Sequence, residues 1–151
     1  MTASETPQPV WEDTYVGQEL LSEQFPLSLY RLVVAAGANR DFNSIHHNPG
    51  YAAASGAPTA YANHIFLQGM WEKSVRRYIG SAGTIRAVRR FRMRSFNTAA
   101  DTVTVNGVVT DRWIEQSIGL ATIAMWSTNS HGLSVGPGEV EVTMLRRKAS
   151  R

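Results

Sequence analysis

Hydrophobic positions follow two regimes along this chain. Just after Pro26, apolar residues from Leu27 to Ala36 recur at intervals of three and four, which predicts a short helix over 27–36 stopped by Gly37. A helical turn is expected over 49–54, because Pro49 is pre-set for a first helical position and Gly56 and Pro58 break the chain beyond it. From Thr59 to Ile79 the only Gly or Pro is Gly69. This stretch starts apolar on all sides and turns amphipathic at Trp71, Val75, Tyr78 and Ile79, predicting a long helix over 59–79 buried in its first half.

Past Gly80 and Gly83 the period drops to two, the spacing of strands. Ile85, Ala87, Phe91 and Met93 alternate with Arg86, Val88, Arg90, Arg92 and Arg94. Val103, Val105 and Val109 alternate with Thr102, Thr104 and Thr110. Two more alternating runs, 118–126 and 139–145, flank glycine-rich turn material over 129–138. Four consecutive strands on short connections predict an antiparallel sheet packed against one helix, an α+β fold. Such a sheet leaves a face or an edge that a partner subunit can cover.

A length of 151 residues fits one domain over 1–151, with a core over about 11–145 and frayed ends at 1–9 and 146–151. With 43% hydrophobic and 18% charged residues, intrinsic disorder is excluded for most of the chain. No apolar run approaches the roughly 18 residues of a membrane span, so no membrane partner is expected. The first ten residues lack a basic segment followed by an apolar one, and there is no cysteine, which together lead to the expectation of a cytoplasmic protein. A net charge of +3 is too small for a nucleic-acid footprint.

Chemistry concentrates between residues 39 and 48, where one acid, three amides and two imidazoles stand between short apolar elements. Asp41 and His46, five apart in a loop, form a candidate acid–base pair around one water, with Asn43 bracing the backbone. The alternative from spacing alone is structural: Asp41 capping a turn, Asn43 in an Asx turn and His46 a hydrogen-bonded loop residue. A zinc site on His46, His47 and His64 is disfavoured, because no two of them stand at helical ligand spacing. No metal is expected.

The string Asp41-Phe42-Asn43-Ser44-Ile45-His46, followed by Asn48, Tyr51-Ala52 and Gly56, resembles the Asp-x-Asn-Pro-x-His motif of MaoC-like enoyl-CoA hydratases and dehydratases. Phe91 to Phe96 and Asp101-Thr102-Val103 are similar to the family's later strand and its return. The resemblance implies a hot-dog fold, a curved antiparallel sheet wrapped around a central helix, with an acyl-thioester site near a dimer interface. It implies that Asp41 and His46 activate water for addition to the α,β double bond of an enoyl-CoA, giving a (3R)-hydroxyacyl product, or run the reverse dehydration, with Asn43 holding the loop. No cofactor is implied beyond the coenzyme A carried by the substrate. Ser44 replaces the motif proline, and Tyr61-Ala62-Asn63 stands where many members open the helix with His-Gly; this segment is the expected substrate-binding stretch, with the Ala62 amide as the oxyanion donor. A looser likeness, to the small subunits of steroid side-chain enoyl-CoA hydratases, implies either a homodimer or a heterodimer with a second hot-dog subunit.

Two rival functions share the scaffold: an acyl-CoA thioesterase, and a non-catalytic acyl-CoA-binding subunit that completes a partner's pocket. Among other features, Arg86, Arg90, Arg92 and Arg94 read as one solvated strand face, with coenzyme A phosphates as the alternative role. His64 and Gln68 are either core hydrogen-bonding groups or acyl-pocket lining. Trp71, Trp113 and Trp126 are expected in the core or an interface.

Overall fold

The computed structural model describes residues 9–147; the expected fraying at 1–8 and 148–151 lies outside the described residues. A 3-10 turn, Trp11–Asp13, leads into a short strand β1, Glu23–Pro26. Helices α1, Leu29–Ala38, α2, Pro49–Ala54, and α3, His64–Ile79, come next, and the chain ends in β2, Thr84–Arg89, β3, Thr102–Glu115, β4, Ile118–Asn129, and β5, Gly132–Met144. All neighbouring strands pair antiparallel in the order β1-β3-β4-β5-β2. This α+β architecture, with α3 held against the curled sheet, is the hot-dog fold.

The inner face of the sheet follows from period-two alternation. Val103, Val105 and Val109 on β3, Ala121, Ile123 and Met125 on β4, and Val140 and Val142 on β5 are all buried in one cluster with Leu67, Met70, Trp71, Val75 and Ile79 of α3. No helix among the described residues is long and apolar enough to cross a membrane.

Several boundaries differ from the sequence reading, each for a local reason. Helix α1 starts two residues later than expected because Ser28 is its N-cap, accepting from Arg31 N–H at 3.2 Å, and it runs through Gly37 to Ala38. Helix α3 starts at His64, not 59, because Asn63 caps it by accepting from Phe66 N–H at 2.8 Å. Its first half is not buried on all sides as expected: Ile65 is 46% exposed, and burial follows one face through Leu67, Trp71, Val75 and Ile79.

Strand β1 was not foreseen; four residues that alternate between half-buried and exposed leave almost no periodic signal. The strand expected to run from Ile85 to Arg94 ends at Arg89, where Arg90 turns left-handed at φ 57°. Arg86, Arg90, Arg92 and Arg94 therefore do not share a strand face. Arg86 lies 3.5 Å from both Glu115 and Glu141, Arg90 pairs with Glu139, and Arg94 Nε–H donates to Gly136 O at 2.9 Å. The glycines of 132–138 lie inside β5, where the pairing with β4 slips, rather than in a turn. Trp71 is core, while Trp113 and Trp126 are only half-buried.

Arg146 and Arg147, expected to fray, are held by the N-terminal turn. Arg146 Nε–H donates to Glu12 at 3.0 Å and Arg147 forks onto Asp13 at 2.7 and 2.9 Å. The Arg147 backbone N–H, with help from Arg146, holds the Glu12 carboxyl at a pKa of about 2. Trp11 lies beneath Arg112, whose guanidinium carbon is 3.6 Å from the ring centroid, and donates from Nε1–H to Leu120 O at 2.8 Å. A Cβ on Gly119 would come within 2.5 Å of the Trp11 ring, so this glycine admits the indole. Gly119→Ala is expected to destabilise the fold by about 1–3 kcal/mol through overpacking, seen as a lower urea midpoint with an unchanged slope.

Candidate active site

The polar segment after α1 is shaped by the way that helix ends. Asp41 N–H donates to Ala36 O at 2.9 Å and Arg40 N–H to Gly37 O at 3.1 Å, the paired bonds of a Schellman ending. Arg40 occupies the left-handed position at φ 55°, where glycine is the usual residue, so the chain reverses there and Asp41 follows directly. Asn43 Oδ1 then accepts from Ile45 N–H at 3.2 Å and opens a 3-10 turn, Ser44–His46. Asn48 caps α2 in the same manner, accepting from Tyr51 N–H at 3.0 Å with Pro49 at the first helical position.

These turns bring Asp41 and His46 face to face, with His46 Nε2 3.2 Å from Asp41 Oδ2. His46 is 6% exposed, and its Nδ1 lies 2.8 Å from the Tyr61 carbonyl. A carbonyl oxygen only accepts, so Nδ1 carries a hydrogen and Nε2 is the nitrogen turned to the carboxylate. A bond between Nε2 and Oδ2 then requires one further proton shared by the pair. The Asp41 side chain keeps 31% of its surface exposed, so the pair opens to solvent on that side.

Tyr61 clamps this turn through its backbone: its N–H donates to Ile45 O at 3.3 Å while its carbonyl accepts from His46. Its ring stands edge-on to the imidazole, 5.3 Å between centroids, and packs on Phe96 at 4.8 Å. Asn63 also belongs to the dyad. Its Nδ2 donates to Asp41 Oδ2 at 3.1 Å while its Oδ1 accepts from Phe66 N–H and from Asn39 Nδ2, the latter at 3.3 Å. One 5%-exposed amide thus fixes the helix start, the end of α1 and the carboxylate together. Asn63→Ala is expected to cost about 0.5–2 kcal/mol as a lost cap, read as a lower urea midpoint.

The Ala62 amide, expected as the oxyanion donor, is already spent: it donates to Asn97 O at 2.9 Å. The reason is the backbone pairing of 60–62 with 97–99, where Ala99 N–H also donates to Ala60 O at 3.1 Å and Tyr61 bridges Thr98. Asp101 steadies the second of these segments. Partial burial opposes its ionisation, but donations from Thr98 N–H, Thr98 Oγ1–H and Ser130 Oγ–H prevail and hold its pKa below the usual value. The first-turn amides of α3 at His64 and Ile65 point where a helix N-terminus leaves donors over. The Tyr61 carbonyl did not stand out in the sequence, and Asn39, although inside the polar segment, reaches the dyad only through Asn63, 24 residues away, for which the cap pattern before an amphipathic run was the available signal.

The histidines do not gather. Both His46 ring nitrogens are taken, His47 Nε2 faces the Phe42 carbonyl at 3.3 Å, and His64 is exposed on the first turn of α3. Beside Asn39 opens a groove of about 750 Å³ between α1 and α3, with Gln68 in its wall.

Neither models of protein families nor the sequences of curated proteins match this chain. Solved structures do. A chain of the ChsH1-ChsH2 complex from Mycobacterium tuberculosis is 29% identical, with a TM-score of 0.79 over 87% of this chain and 98% of that one. An (R)-hydratase from A. caviae involved in PHA biosynthesis is 19% identical, with a TM-score of 0.78 over 88% and 98%. A MaoC-like dehydratase from Rhodospirillum rubrum is 15% identical, with a TM-score of 0.77 over 91% and 97%. With these structures the chain shares the hot-dog fold, one curled sheet around one helix, and here an aspartate and a histidine meet near the start of that helix.

Proposed function

We propose that this domain adds water to the α,β double bond of an enoyl thioester of coenzyme A, or removes it from the 3-hydroxyacyl product. The observation that carries the reading is the Asp41–His46 contact of 3.2 Å at a half-exposed carboxylate. Asp41 takes a proton as the water oxygen bonds to Cβ; the π electrons move to the thioester oxygen, and a proton returns to Cα. His46, its tautomer fixed by the Tyr61 carbonyl, holds the exchangeable proton at Nε2 on that side of the substrate. Negative charge developing on the thioester oxygen is met by the amides of His64 and Ile65 at the positive end of α3.

The names of the structural relatives support the reaction class, and the likeness to a chain of the ChsH1-ChsH2 complex supports assembly with a second subunit. Apolar surface beside the site fits such a subunit, with Phe42 72% and Tyr51 52% exposed. The test is hydration of crotonyl-CoA by the purified protein, read as loss of the enoyl absorbance. Release of free coenzyme A thiol from a saturated acyl-CoA would instead identify a thioesterase. Turnover that arises only with a second protein and survives loss of Asp41 would identify a non-catalytic subunit.

A further inference from the structure

The groove between α1 and α3 has two unlike ends. Its near end is Asn39, joined through Asn63 to the Asp41 carboxylate. Its walls are apolar, formed by Val34, Ala38, Ile65, Phe66 and Met70. Its far end lies against β1: Lys73 Nζ pairs with Glu23 at 2.9 Å and sits 5.0 Å from the Phe25 ring centroid, and Arg31 donates to the Pro26 carbonyl at 2.8 Å.

Glu72 lines this far end and is half-buried. Its neighbour Lys73 is committed to Glu23, and no Lys, Arg or His among the described residues forms an ion pair with Glu72. Its hydrogen-bond partner is Gln68, whose Nε2 donates to Oε1 at 3.1 Å. With Gln68 as its hydrogen-bond donor and no ion pair among the described residues, this half-buried carboxylate keeps acceptor positions that a further donor in the groove can fill. Glu72 stands nine residues beyond Asn63, so along the helix axis it is roughly 14 Å from the dyad's anchor.

Resting on the hydratase reading above, we propose that the α1–α3 groove takes the acyl chain and that Glu72 selects chains carrying a hydroxyl group far from the thioester. A hydroxyl suits this end better than a ketone or a carboxylate. It donates to Glu72 and accepts from Arg31, whereas neither a ketone nor a carboxylate has a hydrogen to give Glu72, and a carboxylate adds a second negative charge beside it. Short acyl chains do not reach Glu72, so the preference belongs to long ones alone.

The test compares three saturated thioesters by titration calorimetry: butanoyl-CoA, dodecanoyl-CoA and ω-hydroxydodecanoyl-CoA. The wild-type protein is expected to bind the hydroxylated chain about tenfold more tightly than the plain one, as a hydrogen bond to a charged group allows. Glu72→Leu should erase that difference and leave butanoyl-CoA affinity unchanged. Equal affinity for the two long chains in the wild type, or a preference that survives Glu72→Leu, overturns the proposal. Equal affinity for butanoyl and dodecanoyl thioesters also overturns it, since that is the behaviour of a groove filled by a partner subunit. Saturated ligands need no turnover, so crotonyl-CoA hydration on the same preparation judges the hydratase reading separately. A protein that hydrates crotonyl-CoA without the hydroxyl preference loses only this inference; one with the preference and no hydration loses the reaction.

Discussion

Asp41→Asn is expected to lower kcat for crotonyl-CoA hydration by about 10²–10⁴-fold, the usual worth of a positioned general base. The substituted amide keeps an oxygen to accept from Asn63 Nδ2, so the start of α3 and the end of α1 stay in place. What disappears is the ability to take a proton from water. His46→Gln is expected to fall by a similar factor, because it removes Nε2 from the shared proton while leaving a group able to donate to the Tyr61 carbonyl. The two losses should not add: once one member of the pair is gone, the other has no proton to exchange, and the double variant should be nearly as active as the weaker single one. Initial rates together with unchanged far-ultraviolet circular dichroism decide the matter. Retained turnover in both single variants would remove the dyad from the mechanism.

The Asp41–His46 pair was legible in the sequence because its chemistry and its local structure are both local. Asp41 and His46 lie five residues apart, and the segment between them carries its own turn instructions in Asn43 and Asn48. The Schellman ending at Arg40 was not legible, since an arginine at a left-handed position gives no glycine to read. The partners of the pair were harder still. The Tyr61 carbonyl and the Asn63 amide reach the dyad only after 60–62 pairs with 97–99, a contact between residues some 35 apart that periodicity does not encode.

The same distinction explains the strands. Strands β3 and β4 are long and buried on one side, so alternation marks them well. Strand β2 was overextended because alternating arginines continue past Arg89; there the left-handed Arg90 and the ion pair to Glu139 end the pairing that side-chain pattern alone would prolong. Asn63 shows how one missed cap moves a functional conclusion. Starting α3 at 59 makes Ala62 a helical amide, whereas starting it at His64 makes Ala62 a paired strand-like residue and puts the first-turn amides at His64 and Ile65.

Trp71→Ala is expected to cost about 3–5 kcal/mol, which for a domain of ordinary stability unfolds a large fraction of the protein on modest heating. The indole is fully buried between α3 and the sheet, edge-on to Phe91 with 4.8 Å between centroids, and its Nε1–H donates to Ser127 Oγ at 2.8 Å. Trp71→Phe keeps most of the apolar volume but strands a buried hydroxyl, so about 1–3 kcal/mol should be lost. Ser127→Ala on that background should recover part of the loss, because no polar atom is then left waiting for the indole; a urea-denaturation cycle of the four proteins reads the coupling directly. Activity should follow stability only indirectly. Trp71 touches no reacting group, but it seats the helix whose first residue is capped by Asn63, and Asn63 holds Asp41. For the folded fraction of Trp71→Phe, kcat on crotonyl-CoA should therefore stay within about threefold of wild type, against losses of 10²-fold or more at the dyad itself. A fall in kcat as deep as that of Asp41→Asn, at a temperature where the variant is fully folded, would mean that the carboxylate depends on core packing far more than its own hydrogen bonds imply.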